Sequence, residues 1–324
     1  MMPAATNARE PLRTGTISVT PTVESYSVNF IRQARGTALF LTAALSAQAV
    51  MADDSVPAVD SAPIGNTAQP LWEVGVGAIA GTVPDYPAAD NYSARFVPFP
   101  YFIYRGHLFR SDENGAHLRA DVRSNMELDV SGGVSFSSHS DSAGPRAGMP
   151  DLKYLLQLGP NLKITLDHPS ENSRVLLQLP VRAVVSLNGL HFAYEGLVFT
   201  PDIGIQTRSL FGTKWNGSVS VGPEFASGRF QQYFYQVDPQ YALPDRPAYQ
   251  AHGGYFGSRL ELGTGRKLGK DFRLFIFGRI DDYSGARNED SPLSKSSMGY
   301  SVFAGISWAI WHSKETVSMP VEGR

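Results

Sequence analysis

The sequence predicts an all-β fold, an antiparallel transmembrane β-barrel of about 12 strands with about 10 as the main competitor, and three observations predict it. The 324 residues are 42% hydrophobic and 11% aromatic with 31 Gly, but only 18% charged, against a usual ~25%; that mixture suits strands and disfavours helices. After Leu71 the apolar residues recur with period two, in segments longer than a soluble strand needs. The connections between these segments alternate between short and long, as they do between the two ends of an outer-membrane barrel.

The chain begins outside this pattern. Residues 1–30 carry Pro, Thr, Ser and Asn without an apolar period and read as unstructured. Arg32 and Arg35 then precede the apolar run Gly36 to Leu45, and Ala47-Gln48-Ala49 follows, which is the order of a secretory signal: basic, apolar, small-x-small. The apolar run is half the ~20 residues that a membrane-spanning helix requires. Residues 1–49 are therefore expected to be an upstream extension plus signal peptide, 50–70 a flexible periplasmic leader rich in Pro and Asp, 71–311 the barrel and 312–324 a C-terminal tail. Removing 1–49 would take Arg9, Arg13, Arg32 and Arg35 but only Glu10 and Glu24 from the formal charge of -2, leaving a mildly acidic mature chain.

Strands are expected near 71–80, 94–104, 107–112, 116–123, 126–137, 151–167, 174–187, 196–209, 214–225, 252–265, 271–283 and 297–310. In the clearest, Leu152, Tyr154, Leu156, Leu158, Leu162, Ile164 and Leu166 occupy one face, while Lys153, Gln157, Asn161, Lys163 and Asp167 occupy the other. Val175, Leu177, Leu179, Val181 and Val185 continue the apolar face after a turn, opposed by Arg174, Gln178 and Arg182, which makes a hairpin. Leu197, Phe199, Ile203 and Ile205 oppose Thr200, Asp202, Gln206 and Arg208; Val219, Val221 and Phe225 oppose Ser218, Ser220 and Glu224. A closed soluble barrel would place its dry core where these charges fall, so the apolar face is assigned to lipid and the charged face to a polar lumen. The last strand ends on Trp308, Ile310 and Trp311, aromatic residues suited to a membrane interface. Connections at 105–106, 124–125, 168–173, 210–213 and 266–270 are short, whereas 81–93, 138–150, 188–195, 226–251 and 284–296 are expected as long outer loops. Gly144, Asn188, Pro239 and Asn288 would then face outward and Asn172 inward.

Several function classes are excluded by composition. With 28 Lys+Arg against 30 Asp+Glu there is no basic footprint for nucleic acid. Zero Cys removes disulfides, thiolate metal sites and a Cys nucleophile. The seven His show no metal-site spacing, no cofactor motif is present, and Gly75-Val76-Gly77 lies within a strand, where it signals bending or close packing. No Gly-x-Ser-x-Gly elbow occurs, and His139, Asp141, Asp281, Asp282 and Ser284 read as solvated polarity at strand ends. A non-enzymatic protein is expected. Its candidate lumen charges are Arg119, Arg123, Arg182, Arg208, Glu224 and Glu261. Loop 226–251 is too aromatic for an idle linker; Tyr233, Phe234, Tyr235, Arg246 and Tyr249 are the candidate lid over the outer mouth or partner surface, with Arg246 stacking on a ring while pairing with Glu224 or Glu261.

The ordered motifs Gly75-x-Gly77, Pro84-Asp85-Tyr86-Pro87, Pro98-Phe99-Pro100-Tyr101-Phe102, Arg146-x-Gly148-Met149-Pro150-Asp151-Leu152, Leu158-Gly159-Pro160, Leu179-Pro180-x-Arg182, Tyr233-Phe234-Tyr235-x-Val237, Arg246-Pro247-Ala248-Tyr249, Asp290-Ser291-Pro292-Leu293 and Gly305-Ile306-Ser307-Trp308 together resemble the MipA/OmpV family over about residues 71 to 311. The sequence departs from that pattern at Ala88-Ala89-Asp90 and at Gln236, where the family favours Gly. The resemblance implies an exported protein of the cell outer membrane, in contact with membrane lipid, and a scaffold linking a lytic murein transglycosylase to a penicillin-binding protein. A narrow pore for small solutes and a surface adhesin are the alternatives it leaves open.

Overall fold

The computed structural model describes residues 68–105, 109–112, 115–118, 120–123, 125–140, 144–189 and 191–318, with side chains described for 70–103, 125–140, 144–189 and 191–316. Of two compact units, Met1–Leu41 and Thr42–Arg324, only the second contains described residues, so the segments expected as upstream extension, signal peptide and most of the leader lie outside them. The elements in chain order are β1 (Ala68–Pro70), β2 (Trp72–Pro84), β3 (Tyr92–Arg105), β4 (Phe109–Asp112), β5 (Gly115–Leu118), β6 (Ala120–Arg123), β7 (Met126–Ser135), β8 (Tyr154–Ser170), β9 (Ser173–Asn188), β10 (His191–Phe199), β11 (Asp202–Thr207), β12 (Asn216–Ala226), α1 (Gly228–Tyr235), β13 (Gly254–Leu268), β14 (Phe272–Asp282), β15 (Met298–His312) and β16 (Thr316–Ser318).

Fourteen strands form one antiparallel sheet, running β5-β4-β3-β2-β15-β14-β13-β12-β10-β9-β8-β7-β6, with β11 lying between β9 and β12 as β10 does. The first and last members, β5 and β6, are separated in the chain by residue 119 alone. The sheet therefore returns on itself along one stave, with β3 meeting β4 only at Tyr104↔Ser111 and Arg105↔Arg110, so that in the described ladders Tyr92–Ile103 pair on one side alone, with β2. The first long strand, β2, pairs with the last, β15, from Glu73↔His312 to Thr82↔Val302, which joins the two ends of the barrel sequence.

The wall is inverted relative to a soluble protein. Val76, Leu158, Val181, Ile203, Val219, Leu262, Ile276 and Ile306 are exposed on its outer face, while Gln157, Asn161, Glu224, Arg279 and Asp281 are buried inside. So large an apolar surface is not stable against water and requires lipid. Aromatic residues mark both margins of the band: Tyr92, Tyr154, Tyr194 and Tyr300 near the long-loop end, and Phe272, Trp308 and Trp311 near the short-turn end. Phe272 and Trp308 are register partners and stack, with centroids 5.7 Å apart.

The lumen face is not uniformly polar as expected. On β2, β3, β14 and β15 it is apolar: Ile79, Val83, Phe99, Tyr101, Ile103, Phe277 and Phe303 form a buried cluster. The strand glycines make room for it. A Cβ on Gly75 would lie 2.5 Å from the Tyr101 ring, one on Gly77 2.2 Å from Phe99, and one on Gly81 2.4 Å from Phe303. Thus the Gly-x-Gly pattern of β2 serves close packing of cross-strand rings.

Three further expectations are corrected. The segment 188–195 is no long loop: His191 pairs with Asn188, and Gly189 with φ 61 supplies the left-handed residue that a tight hairpin needs. The stave expected at 196–209 starts five residues earlier and breaks at Thr200-Pro201, where proline has no N–H for the ladder. One helix, α1, stands where only loop was expected; Phe230 and Phe234, one turn apart, are both buried. Past the barrel, β16 pairs with β1, from Ala68↔Ser318 to Pro70↔Thr316, so the end of the leader and the start of the tail form a two-stranded ribbon at the short-turn end.

Candidate functional site

The polar half of the lumen is built from alternate residues of neighbouring strands. Arg259 and Glu261 on β13 face Asp281 and Arg279 on β14 across the ladder. From this register Arg259 reaches three carboxylates: Asp281 at 2.8 Å, Glu224 at 3.0 Å and Glu261 at 3.9 Å. Arg279 contacts the second oxygen of Asp281 at 2.9 Å. Lys163 and Asp129 pair at 2.5 Å between β8 and β7, and Arg273 pairs with Glu73 at 2.5 Å beside Tyr101. Burying charges is tolerable here because they are paired and shared.

The expected lumen residues fall differently within this frame. Glu224 and Glu261 are brought together by Arg259, a residue that its strand alternation alone does not distinguish from the other lumen charges. Arg182 donates to Ser131 Oγ at 3.1 Å. Arg208 lies away from the network, in a cleft at the short-turn end with His168, Glu171, Asn172, Arg174 and Gln206. Arg119 lies outside the described residues, and so does the side chain of Arg123.

At the long-loop end, loop residues 85–91, 136–140, 144–153, 227–253 and 283–297 pack into a cap. Its core includes Tyr86, Met149, Leu152, Phe230, Phe234, Tyr235, Val237 and Leu293, and it rests on inward-facing strand residues Leu155, Val184, Val198 and Phe256. Edge-on ring contacts run from Tyr233 to Phe234 at 5.1 Å and from Phe234 to Phe230 at 5.2 Å. Polar groups then lock the loops. The Tyr233 hydroxyl accepts from the Lys153 N–H at 2.6 Å and lies 3.2 Å from its carbonyl oxygen. Tyr235 donates to Pro87 O at 3.3 Å, Tyr86 to Leu293 O at 2.8 Å and Ser291 to Tyr235 O at 2.9 Å.

Arg246 is buried, but its expected carboxylate partners are wrong. It donates to Tyr241 O at 2.7 and 3.1 Å and to Pro145 O and Ala147 O at 2.9 Å each; Glu224 and Glu261 belong to Arg259. The stacking guanidinium is instead Arg146, 5.8 Å over the Tyr86 ring, which also donates to Phe234 O at 2.9 Å. Asn288, expected to face outward, is 1% exposed. Its amide donates to Gln231 Oε1 and to His252 O, and accepts from the His252 N–H and the Tyr249 hydroxyl. No periodicity marks a lone Asn or Arg in a loop, so Asn288 and Arg146 become legible only once four loops converge.

Burial in the cap pushes Tyr86, Tyr235 and Tyr283 well above the ordinary phenol range, and Tyr233 up to about 12. Burial also lowers the Arg146 guanidinium from its ordinary value. On the exposed rim, the Ser140 N–H and then the His139 ring hold Asp151 below the usual carboxylate range. Of the strand-end groups with potential for hydrolytic chemistry, His139 contacts Asp151 at 3.0 Å, Asp282 accepts from the Ser284 N–H, and Asp281 is engaged by arginines; Asp141 lies outside the described residues. Among the described residues no serine hydroxyl bonds a histidine ring, and no group of three His, Asp or Glu has the arrangement of a metal site.

A family model described as MltA-interacting protein MipA matches residues 76–310. Comparison with curated proteins gives no match. Among solved structures the chain is similar to the translocator domain of the autotransporter NalP from Neisseria meningitidis, at 12% identity and TM-score 0.42 over 88% of this chain and 99% of that one. It is also similar to the NanC porin, at 10% identity and TM-score 0.37 over 72% and 100%. Outer membrane phospholipase A from Escherichia coli gives 12% identity and TM-score 0.33 over 78% and 95%.

Proposed function

We propose a role for this outer-membrane barrel from the premise that the chain belongs to the MltA-interacting protein MipA family: it is a non-enzymatic scaffold that holds murein-remodelling enzymes at the outer membrane, a lytic transglycosylase and a penicillin-binding protein being its partners. The observation that carries this reading is the packed cap, whose buried rings and loop-to-loop hydrogen bonds fill the long-loop end. A barrel filled in this way is suited to anchoring rather than to free diffusion. Partners would meet it at the opposite end, where the β1–β16 ribbon offers extended backbone beyond the wall. The test is capture from solubilised envelopes with the mature barrel and with a Val317→Pro variant, which removes a ribbon N–H donor. Loss of transglycosylase capture in the variant supports the ribbon as the platform; absence of capture by the unmodified barrel refutes the scaffold.

The charge cluster around Arg259 favours a second reading, a narrow solute pore closed by its own cap. In planar bilayers the intact protein would then be silent, and deletion of 230–247 would produce conductance. Silence of both leaves the scaffold alone.

A further inference from the structure

The connection from β11 to β12 displays a side chain that the lumen, cap and scaffold do not use. Phe211 is 97% exposed and takes φ 50 and ψ 36, a left-handed conformation that is an outlier for a bulky residue. The turn around it is tightly tied. Leu210 N–H donates to Trp215 O at 2.7 Å, both the N–H and hydroxyl of Thr213 donate to Leu210 O at 2.9 and 2.7 Å, and Ser209 Oγ donates to Thr213 O at 2.9 Å. The backbone thus holds an apolar ring in the solvent-facing position in a conformation that disfavours it, and backbone outliers of this kind cluster at functional contacts.

The direction of the turn identifies the contact. Leu210 packs on Gly217, where an added Cβ would lie 2.3 Å from Leu210 Cδ1. Gly217 has the same parity on β12 as Val219 and Val221, which are exposed on the apolar outer wall. The turn therefore folds along the outside of the wall rather than beneath the lumen. Its apolar surface is continuous with the lipid-facing band, at the end that carries Phe272, Trp308 and Trp311. Lys214 in the same turn is exposed.

We infer that Phe211 is a pre-organised membrane finger: its ring lies in the headgroup–acyl boundary of the leaflet on the short-turn side, and Lys214 provides a cation toward anionic lipid headgroups. The contact with lipid is independent of any scaffold partner, and it uses a fixed turn where wall residues use strand alternation.

The chain has no Cys, so a single nitroxide can be attached to Phe211→Cys in the full barrel. Power saturation in vesicles of phosphatidylethanolamine and phosphatidylglycerol compares its accessibility to oxygen, which concentrates in lipid, with that to a water-soluble nickel chelate. Ile205→Cys on the wall and Glu171→Cys on the exposed β8–β9 turn are the references, and heat-modifiable gel mobility verifies that each variant is folded. The oxygen-to-nickel ratio at Phe211→Cys is expected to exceed that at Glu171→Cys several-fold and to approach that at Ile205→Cys. A ratio no higher than at Glu171→Cys overturns the inference and turns the ring toward water or a protein partner.

Discussion

Replacing Arg246 with Met tests whether the cap is held by one buried cation or by ring packing alone. The side chain is 6% exposed and makes four hydrogen bonds to three backbone carbonyls: two to Tyr241 O and one each to Pro145 O and Ala147 O. Methionine retains the apolar stem but strands those carbonyls. At roughly 1 kcal/mol for each bond, the loss amounts to about 3–4 kcal/mol of local stability, or about a few hundred-fold in the opening equilibrium. Hydrogen exchange in reconstituted protein reads this directly, because opening should expose the amides of Ala147, Met149, Leu243 and Arg246, all bonded within the two loops that the guanidinium joins. Protection there should drop by that factor, while β8 and β9 amides, closed by neighbouring strands, stay unchanged. Arg246→Lys should lose less, since an ammonium can still donate to part of the carbonyl cluster. Cap protection unchanged to within about threefold, or equal losses in cap and strands, would refute the assignment of Arg246 as the fastening between loops 144–150 and 239–246.

Arg introduced at Leu158 or Val181 on the outer face should cost about 2–4 kcal/mol near the bilayer midplane, against little for Arg182→Lys inside, as measured by folding titrations into lipid; similar costs on both faces would show that the outer face does not meet lipid. Gly77→Ala forces a Cβ to 2.2 Å from the Phe99 ring and should cost about 1–3 kcal/mol, whereas Gly278→Ala meets nothing within 4 Å and should be neutral in the same unfolding assay. Single cysteines at Gly144, Asn188 and Pro239, all exposed at the long-loop end, should label from outside intact cells, while Asn172→Cys and the buried Asn288→Cys should not. Because burial raises the folded-state pKa of Tyr233 above its unfolded value, its contribution is fully present below the unfolded phenol range and is lost as pH rises through about 12; absorbance titration should show late-ionising tyrosines, and their early ionisation in folded protein would contradict the buried cap.

The sequence by itself determined the wall. Period two places Leu158 and Gln157, or Val181 and Arg182, on opposite faces whatever the neighbours are, and the only medium compatible with so many outward Val, Leu and Ile is lipid. Strand positions were legible for the same reason, since a one-residue slip would turn the whole apolar face inward. Loop 226–251 could be read as aromatic and therefore engaged, but α1 could not, because eight residues with Phe230 and Phe234 one turn apart carry too little periodic signal to announce a helix.

Only the tertiary structure decided which charges meet and which rings pack. Arg259 rather than Arg246 holds Glu224 and Glu261, because the register of β13 with β14 sets Arg259 opposite Asp281 and within reach of β12. Alternation tells which residues enter the lumen but not which of them become ladder partners on neighbouring strands, as Phe277 and Phe303 do, so the aromatic half around them stayed invisible beside the charged half. The cap was decided last of all. Arg146, Asn288 and Tyr233 act through contacts across four loops distant in sequence, and a loop has no repeat from which such partners can be read; they meet because the closed wall brings the four strand ends together.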